Sequence, residues 1–148
     1  PEAVDIAEFL NQLLGEYDEG FQVQQLQPVV TVEGEARIFA DGRLMWRVFD
    51  NLLNNICKYS LPHTRVYFNV KTGGKTVVIT LKNISGTPLN ITADDLMERF
   101  VRGDSARTTE GSGLGLSIAK SLTELQKGRF DLYVDGDLFK VVIIFDKA

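Results

Sequence analysis

Glycine is concentrated in one short stretch of the chain, from Arg102 to Lys120. Four of the chain's 13 glycines fall within it: Gly103, Gly111, Gly113 and Gly115. Apolar side chains then recur at helical spacing from Leu116 to Leu125, which predicts a helix with Gly128 as its C-terminal cap. A glycine-rich loop that leads into a helix presents backbone N–H groups at the positive end of the helix dipole, where phosphate binds. Because such loops are also ordinary connectors, the stretch alone leaves both interpretations open.

Composition limits the class of protein. A chain of 148 residues with 44% apolar and 24% charged residues has the proportions of one globular domain with a full core. A net charge of −4 argues against nucleic acid or an anionic membrane as the main partner. The single cysteine, Cys57, excludes an internal disulfide and a cysteine-based zinc site. No apolar run approaches the roughly 20 residues that span a bilayer, so we expect no membrane contact by this chain.

Hydrophobic alternation predicts the fold class. An amphipathic helix is predicted from Ile6 to Tyr17, capped by Asp5 and ended by Gly20. The strand-like runs are Phe21–Gln27, Ala36–Ala40, Thr64–Lys71, Lys75–Lys82, Phe130–Val134 and Leu138–Phe145. Without a regular strand–helix–strand alternation, neither a Rossmann fold nor a P-loop fold is supported. We expect an α+β fold: a two-layer sandwich with a mixed, largely antiparallel sheet of about five strands and three main helices on one face.

A second long helix is predicted from Asp41 to about Ser60, with an unusual polar face. Asn51, Asn55 and Lys58 share one stripe with Arg47, although asparagine is a poor residue for a helix interior. An ordinary solvated face is one interpretation. The other is that an amide oxygen is a ligand for Mg²⁺, which is commonly held by one or two protein oxygens together with substrate phosphates.

Three motifs in order resemble the catalytic ATP-binding domain of bacterial sensor histidine kinases. The segment Phe49–Ser60 looks like their N box, Leu96–Arg107 resembles their F box and the start of the ATP lid, and Gly111–Lys120 closely matches their second glycine box. The resemblance extends from about residue 2 to the C-terminus. It implies a Bergerat-type fold, shared with gyrase-like and chaperone ATPases, in which ATP lies between the N-box helix and a mobile lid at about residues 101–112.

The resemblance also implies a role for each matched residue. Asn55 would bind Mg²⁺, Asn51 and Lys58 would reach the phosphates, and Tyr59 would pack against the adenine. Arg102 would contact the γ-phosphate region, so the catalytic set would be Asn55, Lys58 and Arg102. The glycine-box residues expected to hold the nucleotide are Gly111, Gly113, Leu114, Gly115 and Leu116.

The implied activity is donation of the γ-phosphate of ATP to a histidine on a separate dimerisation domain, with a response regulator as an indirect partner. The only histidine, His63, lacks the acidic residue that normally follows an acceptor histidine. We therefore expect an exposed turn residue there, with the acceptor domain absent and no activity from this chain alone. By the same resemblance, the parent is a membrane-bound sensor with this domain in the cytoplasm.

One motif departs from the family. The first glycine box normally begins with an aspartate that accepts a hydrogen bond from the adenine amino group, and here Asn83 stands in its place and both motif glycines are missing. An amide oxygen can still accept this hydrogen bond, without the added strength of a charged acceptor. Adenine binding that persists but is weaker or less selective is the expected consequence.

Two alternatives remain. A degenerate module that only docks to partners would explain the altered first glycine box, and the nearest alternative within the superfamily is an ATPase or an anti-sigma-type serine kinase. Hydrolysis is disfavoured, because Asn51 occupies the position where the ATPase members carry a glutamate base, and Asp50 lies about 100° away around the helix.

Overall fold

A mixed sheet of five strands, backed by helices, forms the body of the fold. The computed structural model describes residues 1–86 and 114–148, and of Leu114 only the backbone. The elements are β1 Glu2–Asp5, α1 Ile6–Glu16, α2 Asp18–Gln24, β2 Gln27–Glu33, β3 Arg37–Ala40, α3 Gly42–Tyr59, β4 Arg65–Gly73, β5 Thr76–Ile84, α4 Leu114–Leu125, β6 Arg129–Asp135 and β7 Leu138–Asp146.

The strand order of the main sheet is β2-β4-β5-β7-β6. β2 and β4 are parallel, and every other neighbouring pair is antiparallel. Burial alternates along β4, β5 and β7, so one face of the sheet is covered and the other faces solvent. The covered face and the apolar sides of the helices share one core, which includes Phe49, Leu53, Phe68, Ile79 and Ile143. The predicted α+β two-layer fold is therefore confirmed.

The run Ala36–Ala40 is a strand, but it does not belong to the main sheet. β3 pairs antiparallel with β1 in a separate two-stranded sheet, with Ala3 opposite Phe39 and Val4 opposite Ile38. The alternation places Ile38 and Ala40 in the core while Phe39 stays 63% exposed. β1 was not predicted from the sequence, because four residues carry little periodic signal and their partner strand lies more than 30 residues away.

The predicted strand Phe21–Gln27 is wrong, since residues 18 to 24 form the helix α2. α1 ends at Glu16, and Gly20, which was expected to end it, lies within α2. The acidic first turn of α2 favours a helix N-terminus, and Gln25 closes it in the left-handed conformation at φ 55°. Phe21 is buried, whereas Val23 is 74% exposed. The two apolar residues whose spacing suggested a strand are therefore one core residue and one surface residue.

The long helix α3 matches its predicted bounds closely. The Asp41 carboxylate caps the N-terminus by accepting hydrogen bonds from the backbone N–H groups of Arg43 at 2.9 Å and Leu44 at 3.4 Å. The helix ends at Tyr59, and Ser60 follows in an extended conformation. The core-facing residues are Met45, Val48, Phe49, Leu52, Leu53 and Ile56. The opposite side of α3 is thereby left for the polar stripe.

The end of α4 differs in detail from its prediction. Lys127, not Gly128, takes the left-handed conformation at φ 67°, and the Gly128 N–H donates to the Thr123 carbonyl at 2.9 Å. Gly128 is needed for a different reason, because a Cβ atom there would lie 2.6 Å from Cζ of Phe145. Within residues 1–86 and 114–148, no helix is both long enough and apolar enough to cross a bilayer.

Candidate functional site

The polar stripe of α3 forms one side of the candidate site. Asn51 and Asn55 are half-buried, one turn apart, and Lys58 is exposed one turn further on. The stripe therefore runs from a semi-enclosed end at Asn51 to an open end at Lys58. Amides at the enclosed end and a mobile cation at the open end suit a ligand with a buried part and a charged, solvated part.

The N-terminus of α4 meets this stripe. α3 and α4 pack against each other, and a Cβ atom on Gly115 would lie 3.4 Å from both Cβ and Oδ1 of Asn51. The first residues of α4 carry backbone N–H groups that have no acceptor within their own helix. The structure thus brings Gly115 of the second glycine box next to Asn51 on the N-box helix.

Asn51 carries an unsatisfied donor. Its Nδ2 atom is buried and makes no hydrogen bond to any part of the chain that the structure describes. A buried donor without a partner costs about 1–3 kcal/mol. Such a cost is commonly offset by a ligand atom, and an anionic oxygen at the N-terminus of α4 would be the complementary group.

Asn83 lies on the other side of α3, at the end of β5. Its side chain is buried, with 4% exposure, and its Nδ2 atom donates a hydrogen bond to the Ser60 Oγ atom at 2.8 Å. The strand places this residue opposite Phe139 on β7. The Asn83 amide is therefore held on the covered face of the sheet, next to the C-terminus of α3.

A narrow apolar cleft lies beside Asn83, between α3 and the sheet, and it is too tight to admit a water molecule. Within the described part of the chain, its lining residues are Leu52, Ile56, Leu81, Asn83, Phe139 and Val141. Asn83 was identified from the sequence, but the apolar walls were not, because Leu52 and Ile56 have the same spacing as any core-facing residue. The cleft as it stands has no room for an aromatic ring.

Tyr59 stands next to this cleft without lining it. Its side chain is 40% exposed, and burial raises the pKa of its phenol. Backbone hydrogen bonds join the end of α3 to the end of β5: the Gly86 N–H donates to the Tyr59 carbonyl at 2.7 Å, and the Leu61 N–H donates to the Ile84 carbonyl at 2.8 Å. The position of Tyr59 is therefore fixed, while its packing against a base stays a prediction.

Asp50 is occupied by a structural hydrogen bond. The Tyr17 hydroxyl donates to Oδ1 of Asp50 and lies 3.1 Å from the Asp50 carbonyl oxygen. Burial, followed by the bond to Asp50, raises the pKa of the Tyr17 phenol. This contact ties the corner between α1 and α2 to the N-box helix, and it leaves Asp50 poorly suited to act as a base for water.

His63 is the exposed turn residue that the sequence predicts, and Cys57 lies at the edge of the core. Cys57 packs at the edge of the core, and burial raises the pKa of its thiol to about 11, which disfavours a reactive thiolate. His63 is exposed in a turn at φ 67°, and its N–H donates to the Gln25 carbonyl at 3.1 Å. Neither residue touches the Asn83 cleft.

Comparison with known protein families identifies the family of the chain. Residues 40–146 match the family described as histidine kinase-, DNA gyrase B-, and HSP90-like ATPase. The chain belongs to this family. Membership in this ATPase family implies that the chain binds ATP.

Sensor proteins are among the relatives of this ATPase domain. The chain is 32% identical to the probable sensor protein PcoS of Escherichia coli over 147 residues, which is 97% of the chain and 31% of PcoS. It is 34% identical to the sensor protein kinase WalK of Staphylococcus epidermidis over 135 residues, which is 86% of the chain and 22% of WalK. The chain thus spans less than a third of the length of these curated relatives.

A solved structure confirms the fold of the ATPase domain. The catalytic domain of the histidine kinase ThkA superposes with a TM-score of 0.82 at 19% identity, covering 99% of this chain and 95% of that one. At this sequence identity, the similarity supports only the fold.

Part of the predicted site lies outside the described residues. Arg102, Gly111, Gly113, the predicted lid at residues 101–112 and the F-box segment all fall there. Leu114 begins α4, and Leu116 is buried in the core, so its side chain is structural and only its backbone can face a ligand. The described part of the site therefore consists of the α3 stripe, the start of α4 and the Asn83 cleft.

The donor set of the described residues fits a magnesium ion that is held mainly by its substrate. Within residues 1–86 and 114–148, no group of three or more His, Cys, Asp or Glu side chains could hold a metal. Asn55 offers one neutral oxygen on the stripe, one turn from the unsatisfied Asn51 amide. A single protein oxygen beside a phosphate site is typical of Mg²⁺, which retains several waters and binds phosphate oxygens.

Proposed function

We propose that this ATPase domain binds Mg-ATP with its phosphates between α3 and α4, and donates the γ-phosphate to a histidine on a separate dimerisation domain. The buried Nδ2 of Asn51, which has no hydrogen-bond partner in the described part of the chain, is the observation that carries this proposal, because Asn51 lies against Gly115 in the first turn of α4. A phosphate oxygen would satisfy that donor and lie at the positive end of the α4 dipole.

The stripe on α3 supplies the polar contacts in this proposal. Asn51 donates to a phosphate oxygen, Lys58 brings a positive charge to the same group, and Asn55 offers its amide oxygen to Mg²⁺. The ion would neutralise charge on the transferring phosphoryl group. Asn55 and Lys58 share one rigid helix, so their spacing is preorganised, and preorganised charge is the main contribution to phosphoryl transfer.

The rest of the triphosphate contacts would come from the glycine box and the lid. The backbone of Gly111 and of the segment Gly113–Leu116 would hold the phosphates, and Arg102 would reach the γ-phosphate. Closure of the lid at residues 101–112 would exclude water before transfer. The family resemblance of these segments supports this part of the proposal.

The base would lie beside Asn83, with the amide at the edge of the purine and Tyr59 packed against the ring. Burial of a flat apolar ring contributes roughly 25 cal/mol per Å² of area removed from water. A neutral amide in this position contributes a weaker hydrogen bond than an aspartate does.

The chain's partners would be the dimerisation domain that carries the acceptor histidine and, indirectly, a response regulator. The histidine kinase ThkA has been solved in complex with the response regulator protein TrrA, which supports this assignment by analogy. His63 is a poor acceptor, because it lies in a tight turn outside the cleft. We infer a sensor protein as the parent, with this domain in the cytoplasm.

Thermal unfolding with a non-hydrolysable ATP analogue, with and without Mg²⁺, tests the proposal. A ligand at 100 times its Kd stabilises the folded state by about 2.7 kcal/mol, so we expect a rise in the midpoint that is larger with Mg²⁺. Asn55→Ala should lose the Mg²⁺-dependent part of the rise. Asn54→Ala, an exposed amide on the same helix but off the stripe, is the matched control.

The same titration separates the rival functions. No shift at millimolar nucleotide would favour a docking module that has lost its ligand, as the altered first glycine box would allow. Transfer of phosphate to serine instead of histidine on an added partner would indicate an anti-sigma-type kinase. Rapid release of inorganic phosphate would indicate hydrolysis of ATP. It would contradict the expectation that hydrolysis is disfavoured because Asn51 cannot act as the general base.

A further inference from the structure

We propose that the solvent-facing side of the sheet docks an acidic segment of a partner protein, centred on four side chains that we call the lysine row. The lysine row consists of Tyr67 on β4, Lys82 on β5, Lys140 on β7 and Tyr133 on β6. It lies on the face of the sheet opposite to the helices. The inference therefore goes beyond nucleotide binding and does not rest on it.

The strand register places the members of the lysine row side by side across the sheet. Tyr67 is the cross-strand partner of Lys82, Lys82 is the partner of Lys140, and Lys140 is the partner of Tyr133. On β4, β5 and β7 the residues before and after each member are buried, and Tyr133 itself is 48% exposed. Since successive side chains of a strand point to opposite faces, the whole row points away from the core.

Two cations stand directly opposite each other in the middle of the row. Like charges in a cross-strand pair destabilise a sheet, and within residues 1–86 and 114–148 neither ammonium group forms an ion pair with a carboxylate. Instead, Nζ of Lys82 lies 5.4 Å from the centre of the Tyr67 ring, and Nζ of Lys140 lies 4.8 Å from the centre of the Tyr133 ring. Because these rings flank the lysine pair on opposite sides, the two ammonium groups diverge and leave a gap between them.

The charge pattern of this face favours an anionic partner of limited size. On the inner strands β4, β5 and β7, the charged side chains of this face are cations, except at the last residue of β7: Arg65, Lys71, Lys82 and Lys140. The carboxylates lie at the margin of the face: Glu33, Asp131, Asp135 and Asp146. Because the chain as a whole carries a net charge of −4, the positive centre suits a local contact with a carboxylate better than the many phosphates of a nucleic acid.

The spacing of the row defines the segment that fits. Neighbouring strands lie about 4.8 Å apart, so the strand of each tyrosine is roughly 7 Å from the middle of the lysine pair. An extended segment laid across the strands advances about 6.8 Å in two residues, and residues two apart share one face. A carboxylate between the ammonium groups therefore places the side chains two residues before and after it above Tyr67 and Tyr133. Lysine stems are flexible, so both lysines can turn from the rings to the carboxylate, and apolar side chains can then cover the rings.

Two open hollows at the ends of the row give room for those apolar side chains. One hollow, of about 590 Å³, has Tyr67 and Ile84 among its lining residues in the described part of the chain. The other, of about 380 Å³, is lined in part by Tyr133 and Leu138. Ile84 and Leu138 are cross-strand partners, so an apolar strip joins the two hollows beside the lysine pair. The surface thus fits the pattern apolar–any–acidic–any–apolar.

Titration of a fluorescein-labelled peptide, Leu-Ala-Glu-Ala-Leu with blocked ends, with the intact chain tests the inference by fluorescence anisotropy. We expect saturable binding at low ionic strength that weakens in high salt, because the charges are exposed. The peptides Leu-Ala-Gln-Ala-Leu and Ala-Ala-Glu-Ala-Ala should each bind about fivefold more weakly. Lys82→Glu and Lys140→Glu should each weaken binding by about the same factor. Lys71→Glu makes the same charge change on the same face but outside the row, so it is the matched control and should leave the affinity within about twofold of the parent.

Two further measurements distinguish docking in the row from non-specific attraction. The double variant Lys82→Glu with Lys140→Glu should lose the glutamate peptide and bind Leu-Ala-Lys-Ala-Leu instead. In the parent protein, the ε-methylene protons of Lys82 and Lys140 lie against aromatic rings. Addition of the glutamate peptide should move their NMR signals downfield, because the lysines leave the rings.

Several outcomes would overturn the inference. Absence of binding, or equal affinity of the parent protein for the glutamate and glutamine peptides, would show that the row does not recognise a carboxylate. Tighter binding of a short oligothymidylate than of the glutamate peptide would assign the face to single-stranded nucleic acid instead. The peptide comparison needs only the parent protein, so it holds even if a variant fails to fold. Each of these results leaves the proposed nucleotide site untouched, because that site lies on the other side of the sheet.

Discussion

Gly115 faces Asn51 across the contact between α4 and α3, at a distance that leaves little room for a side chain. A Cβ atom on Gly115 would lie 3.4 Å from Cβ and Oδ1 of Asn51. That separation is the lower edge of ordinary van der Waals contact, so a methyl group would touch the amide and a larger side chain would press on it. The glycine thus allows the N-terminus of α4 to approach the N-box helix closely.

Gly115→Ala should weaken nucleotide binding while leaving the fold intact. Alanine improves helix propensity by about 1 kcal/mol, which offsets the crowding, so we expect stability within about 1 kcal/mol of the parent and a several-fold rise in the Kd for an ATP analogue. Gly115→Val should raise the Kd further. The control is Gly15→Ala on α1, where a Cβ atom meets nothing within 4 Å. Equal nucleotide affinity in Gly115→Val and the parent would contradict this close approach.

Asn51→Leu should stabilise the empty domain and abolish high-affinity nucleotide binding. The substitution removes the buried Nδ2 atom that has no partner in the described part of the chain. Relief of an unsatisfied buried donor is worth about 1 kcal/mol or more. Urea unfolding of the variant without ligand measures the gain, and a nucleotide titration measures the loss. Asn54→Leu, on the exposed side of α3, should show neither effect. If Asn51→Leu is less stable than the parent, removal of the buried Nδ2 atom does not relieve an unsatisfied donor.

The agreement between sequence and structure is best where one element carries its own signal. α3 combines an apolar face, an Asp41 cap and a following proline, so its bounds and its polar stripe follow from local rules. The strands with a buried face alternate clearly and were predicted. The bounds of these elements and the polar stripe of α3 can therefore be predicted without knowledge of any tertiary contact.

The misses required tertiary information. β1 is stabilised by β3, which lies far away in the sequence, and α2 was mistaken for a strand because Phe21 and Val23 are two apolar residues with alternate spacing. The cleft was missed because its walls are core residues, and only the distance between α3 and the sheet leaves a gap there. Ser60 likewise carries no motif; its significance comes from the 2.8 Å contact with Asn83.

Tyr17→Phe should destabilise the domain and affect the N-box helix. The phenol donates to the Asp50 carboxylate, and a hydrogen bond to a charged group contributes about 1.5–3 kcal/mol. Because Asp50 precedes Asn51, we also expect a modest rise in the Kd for nucleotide. A double-mutant cycle with Asp50→Asn, measured by urea unfolding, isolates the pair. Additive effects of the two substitutions would show that the contact contributes nothing to stability.

The alkaline stability of the domain should depend on Cys57. Burial raises the pKa of its thiol from 9.0 to about 11, so the folded state retains the proton more tightly than the unfolded state does. The stabilising contribution is therefore complete below about pH 9 and is lost as the pH rises through 11. Cys57→Ala should flatten the fall in unfolding free energy over that range, and part of the flattening comes from Tyr17, because the Cys57 charge also raises the pKa of the Tyr17 phenol.

Alkylation of Cys57 with iodoacetamide at pH 8 gives an independent test. A two-unit rise in pKa lowers the thiolate fraction about a hundredfold, so the native thiol should react about a hundredfold more slowly than the urea-unfolded thiol. Equal rates would mean that α2 moves freely away from α3 and that Gly20 on α2 does not shield the thiol.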